Sequence, residues 1–360
     1  MRDGSLTAVK YCPALDGIRG IAILAVLAVH CNMLLARPIP AFSIGWMGVD
    51  LFFVLSGYLI TTILLETVDL AGYFRVFYSR RALRILPLYY GACLVLFVGL
   101  EHTHFRGTVG YETLRSNELW YWLYGVNWLI ALKGWLAAPI YTSHLWSLAI
   151  EEQFYLVWPL VVMLSGRRGV SRIAVVLVTF SFALRLLLVL RHVRPETIFV
   201  STPTHLDGLV IGAWLAANRL RAWRRIVWLG VGAAAAYAAI ALFRGTANPY
   251  DPVVQVPSYT LVGLASAGLL AYGARSSAHW LAWRPLTQLG RVSYGLYVIH
   301  FPVVGVLMQR WPQGGWPAIG VAVSASLALA ALSWVCLERP ILSLKRYVPY
   351  GTRQAIRVHA

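Results

Sequence analysis

The chain has 360 residues, of which 59% are hydrophobic and 12% charged, whereas soluble domains carry roughly 25% charged residues. Together with a mean hydropathy of +0.65, this excludes a single soluble enzyme and leaves little chain for any soluble domain. The 31 Lys and Arg against 14 Asp and Glu give a net charge of +17. In a soluble protein that excess would point to nucleic acid; in a hydrophobic one it orients membrane spans, and no nucleic acid is expected as a partner.

A hydrocarbon core about 30 Å thick asks for about 20 apolar residues per crossing. Apolar runs between polar breaks predict ten spans, near 17–36, 46–65, 85–100, 145–164, 173–190, 204–218, 226–243, 257–274, 293–309 and 317–336. The short segment 119–132, LWYWLYGVNWLIAL, is loaded with Trp and Tyr, which suits an additional interfacial or re-entrant helix. The fold class is therefore all-α and polytopic, with residues 1–345 as one membrane domain and 346–360 as a short basic tail. The first ten residues lack a compact apolar stretch with a cleavage site, so the first span is expected to stay in the mature protein.

Charge supports this count. With segment 119–132 left out of the crossings, 21 Lys and Arg fall on one side, including Arg75, Arg80, Arg81, Arg84, Arg167, Arg168, Arg172 and the tail residues Arg2, Lys10, Arg353 and Arg357. Eight fall on the other, and Arg19 and Arg185 stay within spans. The positive-inside rule then places both termini in the cytoplasm of a multi-pass protein of the inner (plasma) membrane. Losing the short span 204–218 would invert everything after it. The four cysteines, Cys12, Cys31, Cys93 and Cys336, have neither metal-ligand spacing nor a disulfide framework, and no metal is expected.

Ionisable residues inside spans are costly, about 2.5 kcal/mol or more each, so function is their default explanation. Arg19 and His30 lie eleven positions apart in the first span, about 16 Å along a helix. Arg19 can equally snorkel to headgroups, and His30 can bond a neighbouring helix. Glu151 and Glu152, about two turns inside the fourth span, are expected at the depth of His30, where a carboxylate can fix an imidazole tautomer for general-base chemistry. Tyr155 shares the face of Glu151. The competing explanation is a structural cluster joining three helices.

In the second span, Asp50 lies near the outer end. Ser56 is either a nucleophile or, with Gly57, a close-packing pair. Asp16 and Asp207 open Leu-Asp-Gly triplets at span starts, where helix capping accounts for them. His300 is a further intramembrane histidine. Arg81 and Arg84, at i and i+3, can clamp a phosphate by forked hydrogen bonds, although topology alone also puts arginines there. The basic patches 167–172 and 219–225 read as topological or lipid-binding.

Together, Arg19 and His30 at this spacing, GVDLFFVLSGYLI (48–60), RRALRILP (80–87), HLWSLAIEEQFYLVWP (144–159), the LDG at Asp207 and SYGLYVIHFP (293–302) resemble the acyltransferase 3 family along nearly the whole chain. The resemblance implies ten core spans and transfer of an acyl group, commonly acetyl, from cytoplasmic acyl-CoA to a hydroxyl of a carbohydrate or glycosylated acceptor. It matches His30 to the essential histidine, Arg19 to its basic partner, Arg81 and Arg84 to the RxxR pair, and Glu151 or Glu152 to the carboxylate. These expectations make His30, Glu151 and Glu152 catalytic, Arg19, Arg81 and Arg84 donor-binding, and Asp50, Ser56, Tyr155 and His300 substrate-binding, with no permanently bound cofactor. The rival class is a transporter that uses buried His, Glu and Arg as a substrate or proton path.

Overall fold

The computed structural model describes residues 12–103, 106–276 and 278–351; the expected tail charges Arg2, Lys10, Arg353 and Arg357 lie outside them. Among the described residues the protein is helical with no strand, as the period and length of the apolar runs predict. The helices that build the site are α1 (Pro13–Cys31), α2 (Met47–Thr67), α3 (Tyr73–Leu94), the short α4 (Glu118–Trp122) and α5 (Val126–Lys133), and α6 (Trp146–Leu190). They are followed by α7 (Asp207–Ala217), α8 (Trp223–Arg244), α9 (Pro252–Arg275), α10 (Arg284–Arg291), α11 (Ser293–Arg310) and α12 (Gly315–Ser333).

Among the described residues, seven helical segments are long and apolar enough to cross a membrane, and the pair α10 and α11, bent by 73°, makes an eighth if taken as one span. One of the seven contains α6, whose 45 residues would run about 68 Å if straight, more than two hydrocarbon thicknesses. It breaks at Gly166, in the left-handed region at φ 57°, a conformation glycine adopts without steric cost. The two expected spans 145–164 and 173–190 are thus joined through one glycine. Arg167, the next residue, donates to the carbonyls of Ala216 and Ala217 and so caps the end of α7, a structural role beyond the topological one expected of that patch.

Two sequence expectations are corrected here. The span expected at 204–218 is an 11-residue helix, about 17 Å long, preceded by a helical turn at Thr202–Thr204. It stands without spanning length because all of its residues but Trp214 are buried inside the bundle, as are Thr204 and His205 before it. The span expected at 85–100 begins at Tyr73, so Arg81 and Arg84 belong to a continuous helix and face its neighbours. Segment 119–132 forms α4 and α5, two short helices broken near Leu123, as an interfacial or re-entrant element would be.

Small residues let the backbones touch, as membrane helices require. A Cβ on Gly57 of α2 would lie 1.9 Å from the Leu209 carbonyl oxygen of α7, and one on Gly290 of α10 would lie 1.8 Å from that of Asp16. Large apolar side chains cover the outside, among them Leu156, Leu164 and Val176 of α6 and Trp228 and Leu229 of α8. The chain after α12 stays docked, since Arg80 donates to the carbonyls of Lys345 and Val348 and lies over the Tyr350 ring.

Candidate active site

Helices α1, α2, α6 and α11 run past two cavities stacked one above the other. The first, about 380 Å³, gathers Arg19 from α1, Ser56 from α2, Arg81 and Arg84 from α3, Glu151, Glu152 and Tyr155 from α6, and Lys345. The i, i+3 spacing on α3 turns both arginines to this one space. The Arg81 guanidinium sits 4.2 Å from the centre of the Tyr155 ring, and its Nε is buried without a protein partner. Arg19 donates to Asp16 at 2.8 Å, which holds its head at the cavity edge. Four cations against three carboxylates, Asp16, Glu151 and Glu152, in one chamber form a site suited to an anionic, phosphate-bearing ligand.

The hydroxyls of Ser56 and Tyr155 both donate to Glu151 Oε1. Glu151 is thereby tied to α2 and to its own helix, on the wall of the basic cavity. Gly57 meets Leu209, so in the Ser-Gly pair the glycine serves helix packing while the serine holds the carboxylate.

The second cavity, about 690 Å³, is lined by His30, His144, Trp46, Trp135, Phe199 and Tyr250 among others. No Asp, Glu, Lys or Arg lines it among the described residues. His30 does not meet a glutamate here, contrary to the expectation from depth. Its Nδ1 lies 2.8 Å from His300 Nε2, and its ring stacks on Phe301 at 3.9 Å between centroids. The His300 ring is anchored through Nδ1 to the carbonyls of Leu296 and Tyr297, at 3.0 and 2.7 Å.

Val49 and Tyr297 line both cavities and form the wall between them. The Tyr297 hydroxyl is hydrogen-bonded to Ser147 Oγ at 2.6 Å and donates to the His144 carbonyl at 2.9 Å. His144, Tyr297 and Lys345 were not singled out from the sequence. His144 and Tyr297 both lie within motifs quoted for the family resemblance, and an intramembrane imidazole was available as a signal. The ring of His144 is buried with both nitrogens unpartnered among the described residues, and it packs edge-on with the His300 ring, centroids 5.4 Å apart.

Two other expected residues stand apart from both chambers. Asp50 is fully buried, and its Oδ1 lies 3.1 Å from His205 Nε2; the other ring nitrogen of His205 donates to the Phe199 carbonyl at 2.5 Å. Asp207 does not cap α7. It forms a two-point ion pair with Arg185, with Nη1 to Oδ2 at 2.6 Å and Nη2 to Oδ1 at 3.0 Å. An unpaired guanidinium inside the bundle would be far costlier than an uncapped helix end, so the carboxylate turns inward.

A family profile described as an acyltransferase domain matches residues 13–338. Among curated proteins the chain is similar to YrhL of Bacillus subtilis, with 31% identity over 92% of this chain and 55% of that protein. It is also similar to the peptidoglycan O-acetyltransferase OatA of Listeria monocytogenes, with 29% identity over 92% of this chain and 56% of that protein. The O-acetyltransferase OatA of Staphylococcus aureus shows 27% identity, over 92% and 57%. The chain spans little more than half the length of these relatives. No solved structure matches it. With the profile covering nearly all of the bundle, the chain belongs to the acyltransferase 3 family of membrane proteins.

Proposed function

We propose that this protein is a membrane O-acyltransferase that moves an acyl group, acetyl by likeness to its relatives, from acyl-CoA to a hydroxyl of a carbohydrate acceptor. The observation that carries the reading is the stacking of a cationic chamber on a charge-free histidine chamber, with Val49 and Tyr297 lining both. Coenzyme phosphates dock on Arg81 and Arg84 with Arg19 and Lys345 nearby, on the cytoplasmic side favoured by the charge count. The pantetheine arm then extends toward His30, about 16 Å further along α1. The hydrogen bond between Tyr297 and Ser147 lies across this path and opens to admit the thioester.

In the histidine chamber, His30 takes the proton of the acceptor hydroxyl as its oxygen attacks the thioester carbon. The carbon–sulfur bond breaks, and the coenzyme thiolate recovers the proton. Glu151, held by Ser56 and Tyr155, balances the arginine charge beside the donor. The transporter reading lacks an equivalent reason for segregating four cations from three imidazoles, and family membership supports the enzyme.

Purified His30→Ala and Arg81→Ala/Arg84→Ala proteins test this with labelled acetyl-CoA. His30→Ala should lose about 10²–10⁴-fold in turnover, the usual contribution of a general base, with CoA affinity retained. The double arginine variant should lose about 100-fold or more in CoA affinity, because charge-assisted hydrogen bonds contribute about 1.5–3 kcal/mol each. Undiminished turnover in His30→Ala refutes the mechanism; unchanged affinity in the arginine variant refutes the docking site.

A further inference from the structure

His30 and His300 belong to different helices, α1 and α11, and are joined by one nitrogen-to-nitrogen hydrogen bond of 2.8 Å. The direction of that bond follows from what lies behind it. His300 Nδ1 faces two backbone carbonyls, Leu296 at 3.0 Å and Tyr297 at 2.7 Å, and carbonyl oxygens only accept. Nδ1 of His300 therefore carries the proton.

In a neutral imidazole the second nitrogen is then an acceptor. A second proton would put a cation on a fully buried ring whose neighbours are the rings of His30, His144, Tyr297 and Phe301. No carboxylate is hydrogen-bonded to it, so that state is costly. His300 Nε2 thus accepts, and His30 Nδ1 donates. The remaining nitrogen of His30, Nε2, carries a lone pair and no hydrogen bond among the described residues. Stacking on Phe301, with the ring planes 22° apart, holds the ring against the rotation that would exchange its nitrogens.

We propose that His300 is a positioning residue that fixes His30 as the Nδ1–H tautomer, with Nε2 free to accept a proton. The chain of two backbone carbonyls, His300 and His30 does the work that a carboxylate was expected to do. It sets the tautomer without placing a negative charge in the chamber that receives the acceptor. This rests on the reading of His30 as the base.

Ring-nitrogen NMR of the full-length protein with isotope-labelled histidine tests the tautomer directly. His30 is assigned by the resonances lost in His30→Gln. In the wild type its Nδ1 should resonate as a protonated nitrogen and its Nε2 as an unprotonated one. In His300→Leu the two should average or exchange character. In His300→Gln, whose amide oxygen can replace the lost acceptor, the wild-type pattern should return. An unprotonated Nδ1 in the wild type, or an unchanged pattern in His300→Leu, overturns the proposal.

Turnover of acetyl-CoA gives the second arm. His300→Leu should lower kcat about 10–100-fold, the usual effect of removing the partner that orients a functional histidine. The KM for acetyl-CoA should be unchanged, and His300→Gln should recover most of the loss. Full turnover in His300→Leu beside an inactive His30→Ala overturns the role of His300 and leaves His30 as the base. Full turnover in His30→Ala overturns the reading of His30 itself.

Discussion

Removing Asp207 should damage the protein more than removing any exposed charge, and the structure says why. Arg185 and Asp207 are both fully buried. All five N–H groups of Arg185 are used, on the carbonyls of Val256 and Thr204, the Thr260 hydroxyl and both oxygens of Asp207. Asp207→Ala takes away the only counter-charge in that set. Breaking a buried ion pair on one side costs about 3–5 kcal/mol, and Arg185→Met should cost at least as much, since the two carbonyls also lose their donor. The double variant leaves no charge behind. It should therefore fall short of the sum of the single losses by about 2 kcal/mol, within the range seen for coupled contacts. Denaturant unfolding in detergent micelles, with all four members of the cycle, measures this. A coupling energy below about 0.5 kcal/mol, where independent sites lie, would refute the reasoning.

Two further outcomes follow from the packing and from a loop. Gly57→Ala should force α2 and α7 apart, since its Cβ would fall 1.9 Å from a backbone oxygen, and should cost about 1–3 kcal/mol. Gly232→Ala, with nothing within 4 Å, should leave thermal stability unchanged or raise it. Asp251 caps α9 through the amides of Val253 and Val254 and is paired with Arg244, whose hydrogen bond holds the carboxyl below its usual range. Because the folded-state value is depressed, this stabilisation is present above the unfolded carboxyl value near 4 and is lost as pH falls through the folded one. Asp251→Ala should therefore lower stability by about 1 kcal/mol at neutral pH, and the difference from wild type should vanish in strong acid. A pH-independent difference would refute the assignment.

The fold class and most of the site were legible because polar residues in apolar runs are costly enough to announce themselves. Arg19, His30 and Glu151 stand out that way, Arg81 and Arg84 by their i, i+3 spacing and Tyr155 by sharing the face of Glu151, and each lines one of the two chambers. Their partners were not legible. Depth along a helix gives height in the bundle but no azimuth, so Glu151 and His30 were placed together, whereas Glu151 turns to Ser56 and His30 to His300. The same gap misplaced Asp50, which looks into the bundle at His205 and lines neither chamber. Arg185, left within a span by the charge count, was the clue to Asp207. Local capping is a sufficient explanation of an aspartate at a helix start, and it hides the distant partner.

The thin wall at Val49 and Tyr297 also bears on leakage. A protein that must let two polar molecules meet inside a bilayer risks becoming a conduit for protons and ions. Here a phenol hydrogen-bonded to Ser147 and to the His144 carbonyl, together with one valine, stands where the two chambers adjoin. If the chain handles a thioester as proposed, the insulation of the membrane at this point rests on a plug that the thioester itself replaces as it passes.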